Sequence, residues 1–158
     1  MSAYYLIYTS KATSLMPVSE LLALLEQSRT DNSLHNITGM LLFAEGRFLI
    51  DLEGRFIQLL EGSWEDVKTL YTAIKLDVRH KRLLLLAEGE IPNRIFKDWT
   101  MGFRLFTLAD HQKIPGYFEL NDAFLTGHTD LQDNAPLNYL RSFYDINAKD
   151  NWRPVMNS

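Results

Sequence analysis

The side chains of this chain best suited to hydrogen-bond chemistry away from water are two amides, Asn32 and Gln58, and a phenol, Tyr8 in YYLIYTS. An amide donates and accepts at once, and a phenol does both through one oxygen, so such groups join partners that water cannot reach. Each also has a plainer use. A buried glutamine or asparagine can be satisfied by backbone groups, and a tyrosine on a first strand is an ordinary core residue. Trp99 and Met101 in DWTMGF read as strand residues packed in a core, and on one strand they share a face. Asp77, Arg79 and His80 in DVRH close a helical stretch, where a cation complements the helix dipole or is simply solvated.

Gln58 stands in an eight-residue unit written twice, RFLIDLEG over 47–54 and RFIQLLEG over 55–62, and Ile50 occupies its place in the first copy. Because the unit has an even length, moving from one copy to the other leaves side-chain facing unchanged on a continuous strand. Two registers follow. In one, Gln58 faces the core site and the first copy forms a longer hairpin or a protruding loop; in the other, Ile50 takes that place. A buried amide without a partner costs ~1–3 kcal/mol, which favours the first.

These residues must be positioned by a core. The 158 residues suit one domain, and an apolar content of 46% can fill it. A net charge of −4 with scattered basic residues argues against a nucleic-acid partner. There is no cysteine, no apolar run of the roughly 18 residues a membrane span needs, and no signal-like leader, which points to a cytoplasmic protein without disulfides. His35, His80, His111 and His128 lack the spacing and acidic company of a zinc site, so no metal is expected.

Residues 4–9 read as a strand, and Pro17 opens a helix with Leu21, Leu22, Leu24 and Leu25 that ends near Arg29. ITGMLLF and FIQLL read as two successive strands, hence a hairpin. Ser63 with Asp66 marks the start of a second helix, with Val67, Leu70, Tyr71 and Ile74 on its apolar face. LLLLA and residues 99–106 supply two further strands. The order βαββαββ predicts an α+β, ferredoxin-like sheet with two helices on one face. Two weaker helical segments, 115–125 and 136–147, are expected to cap the other face or to form an oligomer contact. The chain therefore divides into a core domain, 1–108, and a C-terminal helical extension, 109–158, of the same globular unit.

Taken in order over about residues 3–106, the motifs resemble the BLUF family, the blue-light sensors using FAD. They are LIYTS with Tyr8 and Ser10, SRTDN with Asn32, ITGMLL, FIQLLEG with Gln58, DVRH with Asp77, Arg79 and His80, and RIFKDWTM with Trp99 and Met101. The resemblance implies non-covalent FAD, with FMN or riboflavin accommodated because the contacts concentrate on the ring. It implies that Asn32 holds the O4/N3 edge, that Gln58 lies between the ring and the Tyr8 hydroxyl, and that Arg79 and His80 serve the ribityl phosphate side, with Asp77 orienting Arg79. In the mechanism that the resemblance implies, the excited flavin takes an electron and a proton from Tyr8, back-transfer leaves Gln58 flipped or tautomerised, and Trp99 and Met101 are candidate carriers of the signal on the last strand. The interval from Asn32 to Ile50 is the one usual in the family, whereas the interval to Trp99 fits Gln58, so the repeat reads as an insertion.

Short proteins of this type imply control of a downstream regulatory protein, a homo-oligomer, and no enzymatic activity. Two other readings stand beside this one. The first is a flavin-free ferredoxin-like interaction module whose photocycle was lost through the duplication at 45–60. The second is a dark flavin-dependent redox enzyme, against which the missing Gly-rich phosphate loop and nicotinamide fingerprint speak.

Overall fold

The computed structural model describes residues 2–14, 17–48, 51–97, 100–106 and 138–143. Its elements are β1 (Ala3–Ala12), α1 (Val18–Leu34), β2 (Thr38–Phe48), β3 (Asp51–Gly62), α2 (Trp64–Lys75), β4 (His80–Ile91) and β5 (Gly102–Phe106). The expected βαββαββ order is the one observed. The sheet runs β4-β1-β3-β2-β5, with β1 antiparallel to β3 and β4, β2 antiparallel to β3, and β5 parallel to β2. Four antiparallel strands thus form a ferredoxin-like α+β core, and β5 extends its edge.

Successive residues of a strand point to opposite faces, and both faces here are covered. Leu6, Tyr8, Leu41, Phe43, Phe56 and Leu60 turn to one face, where they meet Leu21 and Leu25 of α1 and Val67 and Tyr71 of α2. Tyr5, Ile7, Met40, Leu42, Ile57 and Leu59 turn to the other, where they meet Phe96 and, from the helical stretch 138–143, Leu140 and Phe143. The expected segment 115–125 lies outside the described residues, as does much of 136–147. Among the described residues no helix is long and apolar enough to cross a membrane.

Local chemistry sets the helix ends. Ser63 caps α2, its hydroxyl oxygen accepting from the Asp66 amide at 3.1 Å, as the Ser-x-x-Asp spacing suggests. The first helix runs past Arg29 to Leu34, so Asn32 lies in its last turn rather than in a polar connection. The reason sits downstream: Asn36 adopts a left-handed φ of 53°, and the Ile37 amide folds back onto the Asn32 carbonyl at 2.9 Å. The last strand begins at Gly102 rather than 99, leaving Met101 in the bend before it, and Trp99 lies outside the described residues.

The duplicated unit folds as one long hairpin. β2 and β3 pair continuously from Thr38↔Glu61 through Leu41↔Gln58 and Ala44↔Arg55 to Phe48↔Asp51. The first copy therefore supplies the end of β2 and the beginning of β3, and Ile50 lies outside the described residues. The register carries a prediction. Deleting residues 47–54 leaves Glu45 and Gly46 to join Ala44 and Arg55, which are already partners, as a two-residue turn. This variant should unfold cooperatively with a free energy within about 2 kcal/mol of the parent. Its backbone amide resonances should move only near the new turn; displaced resonances at Tyr8 or Leu41 would show that the first copy helps to set the register.

Candidate functional site

Tyr8 of β1 and Gln58 of β3 are direct partners across the antiparallel pair, both buried. The Tyr8 hydroxyl donates to Gln58 Oε1, and Gln58 Nε2 donates to Met101 Sδ at 3.5 Å. The thioether can only accept, so it selects the nitrogen end of the amide and leaves the oxygen end for the phenol. Burial pushes the Tyr8 hydroxyl far above the usual phenol range, with Tyr71 and Asp77 adding to the effect. Tyr8 is therefore held as a protonated donor. Its ring packs 5.6 Å from Tyr71 and, edge to face, 6.2 Å from His80, centroid to centroid.

Beside this pair a cavity opens between the two helices over the sheet. Leu24, Leu41, Phe56, Leu70 and Ile74 give it apolar walls, while Tyr8, Asn32 and Gln58 bring polar atoms to it. Apolar faces with a few fixed amides are what a flat heteroaromatic ring with one polar edge requires. Asn32 is 1% exposed, and its Nδ2 donates to the Thr100 carbonyl at 2.7 Å. One Nδ2 hydrogen and the Oδ1 acceptor remain for a ligand edge. One turn earlier on α1, Arg29 donates from Nε and Nη2 to the Met101 carbonyl, each at 3.3 Å. These two bonds explain the late start of β5, because the carbonyls of residues 100 and 101 are turned toward α1.

At the other end of the cavity, Arg79 makes a fork on Asp77. Its Nε lies 2.9 and 3.0 Å from the two carboxylate oxygens, and its Nη2 bonds Asp77 Oδ2 as well as Gln27 Oε1 at 3.2 Å. Asp77 thus orients the guanidinium at the cavity rim, and the hydrogen bond from Arg79 holds the Asp77 carboxyl below its ordinary value. His80 lines the wall, but both ring nitrogens are engaged within the protein. The Ile74 carbonyl, 2.7 Å from Nε2, can only accept, so that nitrogen carries a proton; Nδ1 faces Ser10 Oγ at 2.8 Å. His80 therefore offers the cavity its ring rather than a free nitrogen. The structure brings together Tyr8, Asn32, Gln58, Arg79, His80 and Met101. Gln27 and Ser28, which also line the cavity, and the bonds of Arg29 were not foreseen, since a polar helix surface gives no sign of what packs across it.

The family profile described as BLUF, sensors of blue-light using FAD, matches residues 3–102. The blue light- and temperature-regulated antirepressor BluF of Escherichia coli (strain K12) is 30% identical over 159 residues, covering 93% of this chain and 36% of the relative. The chain thus spans about a third of that relative's length. Among solved structures, the dark-state structure of BlrB, a BLUF protein, superposes with a TM-score of 0.58 at 29% identity, covering 66% of this chain and 73% of that one. A bacterial light-regulated adenylyl cyclase superposes with a TM-score of 0.55 at 28% identity, over 89% of this chain and 36% of that one.

The Asp77–Arg79 fork yields a pH prediction. A carboxylate whose pKa is lowered in the folded state stabilises the fold above its unfolded value, and that contribution disappears as pH falls through the lowered value. Both partners are partly solvated, so Asp77→Asn should cost about 0.5–1 kcal/mol near pH ~7. The gap between variant and parent in urea unfolding should close below about pH 4; a gap that persists in acid would mean the fork acts by packing rather than by charge.

Proposed function

Because the chain belongs to the BLUF family, the sensors of blue light using FAD, we propose that Tyr8, Gln58 and Met101 are its light-responsive relay and that Asn32 and Gln58 hold the polar edge of the flavin ring. The observation that carries this reading is the unbroken line from the Tyr8 hydroxyl through the Gln58 amide to the Met101 sulfur. When bound, FAD supplies the blue-light absorption and the excited-state demand for an electron. The chain supplies the rest. Tyr8 is a buried, protonated phenol with its proton directed at Gln58, the form from which an electron and a proton can leave together.

Gln58 is the bistable element. With its nitrogen toward Met101, the amide satisfies both neighbours; with its ends exchanged, an oxygen would face a sulfur that has no proton to give. A change in the Gln58 amide thus alters its bond to Met101 directly. Leu24, Leu41, Phe56 and Ile74 would shield a bound ring from water, which keeps these few bonds strong. Arg79, oriented by Asp77, serves the ribityl phosphate side at the rim, and His80 buttresses Tyr8 and Phe56.

The output is regulatory binding, not catalysis: light changes the affinity of this chain for a downstream protein. The E. coli relative supports this, since its name describes an antirepressor regulated by blue light and temperature. The helical stretch 138–143 is the route, because Leu140 and Phe143 rest on the sheet face opposite the relay. In this reading the chain works as a homo-oligomer in the cytoplasm, with a core domain over 1–108 and a helical extension over 109–158.

The relay is tested by two substitutions. Tyr8→Phe and Gln58→Leu should each retain FAD after reconstitution and lose the reversible light-induced red shift of the flavin bands. A shift of parental size in both variants would remove these residues from the mechanism.

A further inference from the structure

Glu61 is a carboxylate that the relay leaves unused, and among the described residues it is wholly buried. An apolar residue would fit the surrounding second-face core at far lower cost, since a charge taken out of water costs several kcal/mol unless it is well bonded. What glutamate supplies is two acceptor oxygens. Oε2 accepts from the Ile95 amide at 2.5 Å, and Oε1 accepts from the Phe96 amide and the Thr38 hydroxyl, each at 3.0 Å. Arg94 joins the group through the Thr38 hydroxyl at 3.1 Å. Burial pushes the Glu61 carboxyl up, and the donors and Arg94 draw it back.

The amides bound by Glu61 belong to the segment between β4 and β5, which has no sheet partner for them. Five residues further on, the same segment is caught again, by Asn32 at the Thr100 carbonyl and Arg29 at the Met101 carbonyl. The approach to Met101 is therefore fastened at one end to β3 and at the other to α1. Gln58 and Glu61 are three residues apart on β3 and so face opposite sides of the sheet. One strand carries the relay amide on one side and the anchor of the Met101 segment on the other.

We infer that Glu61 is a positioning residue that ties the β4–β5 segment to β3 and so keeps Met101 in register with Gln58, passing movement of β3 to the second sheet face. This rests on the relay reading for its functional consequence, but the positioning itself can be read in the dark. The test is Glu61→Gln in the FAD-reconstituted protein, because glutamine keeps the volume while its NH2 must confront one of the donors. Amide hydrogen exchange and the 13C-methyl resonance of Met101 are followed in darkness and under blue light, at a temperature where both proteins are folded.

Exchange at Ile95 and Phe96 should rise at least about tenfold, and the Met101 methyl resonance should move, while exchange at Tyr8 and Leu41 stays at the parental rate. The flavin red shift should persist, and the light-induced change in exchange at residues 95–96 should be lost. Unchanged exchange at both amides, or freed amides with an unmoved Met101 resonance, would overturn the inference. If the parent shows no red shift, the relay reading fails by itself, and the dark readings still decide the role of Glu61. Glu61→Asp, which keeps the charge and withdraws both oxygens by one methylene, replaces the glutamine variant if that one does not fold.

Discussion

The antiparallel register of β1 with β3 is the constraint on which the site depends. It sets Tyr8 opposite Gln58, and every later contact follows from that pairing. A slip by one residue would turn Gln58 to the second face, away from Tyr8 and from the cavity between the helices. A slip by the length of the repeated unit would preserve the facing but bring Ile50 to the phenol. That alternative loses the partner of a buried hydroxyl as well as that of a buried amide, each worth ~1–3 kcal/mol when left unsatisfied. The observed register satisfies both groups with each other.

The same accounting explains why the segment between β4 and β5 is so closely held. Asn32, Gln58 and Glu61 are all nearly inaccessible to water, and all three find partners in that segment: the Thr100 carbonyl, the Met101 sulfur, and the Ile95 and Phe96 amides. The described residues of the segment lie outside any strand and have no ladder to satisfy their backbone, and the three side chains have no water. Each solves the other's deficit. A change of bonding at one of the three is therefore felt along a stretch of backbone that reaches both faces of the sheet.

Much of this was legible in the sequence, for identifiable reasons. The second helix announced itself by Ser63, Asp66 and an apolar row at helical spacing, and the strands by their alternating facing. Tyr8, Asn32, Gln58, Arg79, His80 and Met101 were named from motif order; the first five line one cavity in the structure, and Met101 joins them through its sulfur on the Gln58 amide. The end of the first helix was not legible, because Asn32 favours turns locally and only the left-handed Asn36 shows where the helix closes. The start of β5 was misplaced because Trp99 and Met101 are strand-prone, whereas the carbonyls of 100 and 101 are claimed by α1. The copies of the repeat could not be separated by facing, since an even shift is silent to that pattern; long-range pairing with β1 separates them. Glu61 gave no local sign, because an acidic residue before a glycine reads as the solvated end of a strand.

The central claim is that Gln58, bonded to Tyr8, occupies the relay position beside a bound flavin. The most direct measurement is the visible absorption spectrum of the FAD-reconstituted protein in darkness, under blue light, and during recovery. The account predicts a small red shift of the flavin bands that reverses in the dark. Bound flavin whose bands do not move under illumination would contradict it.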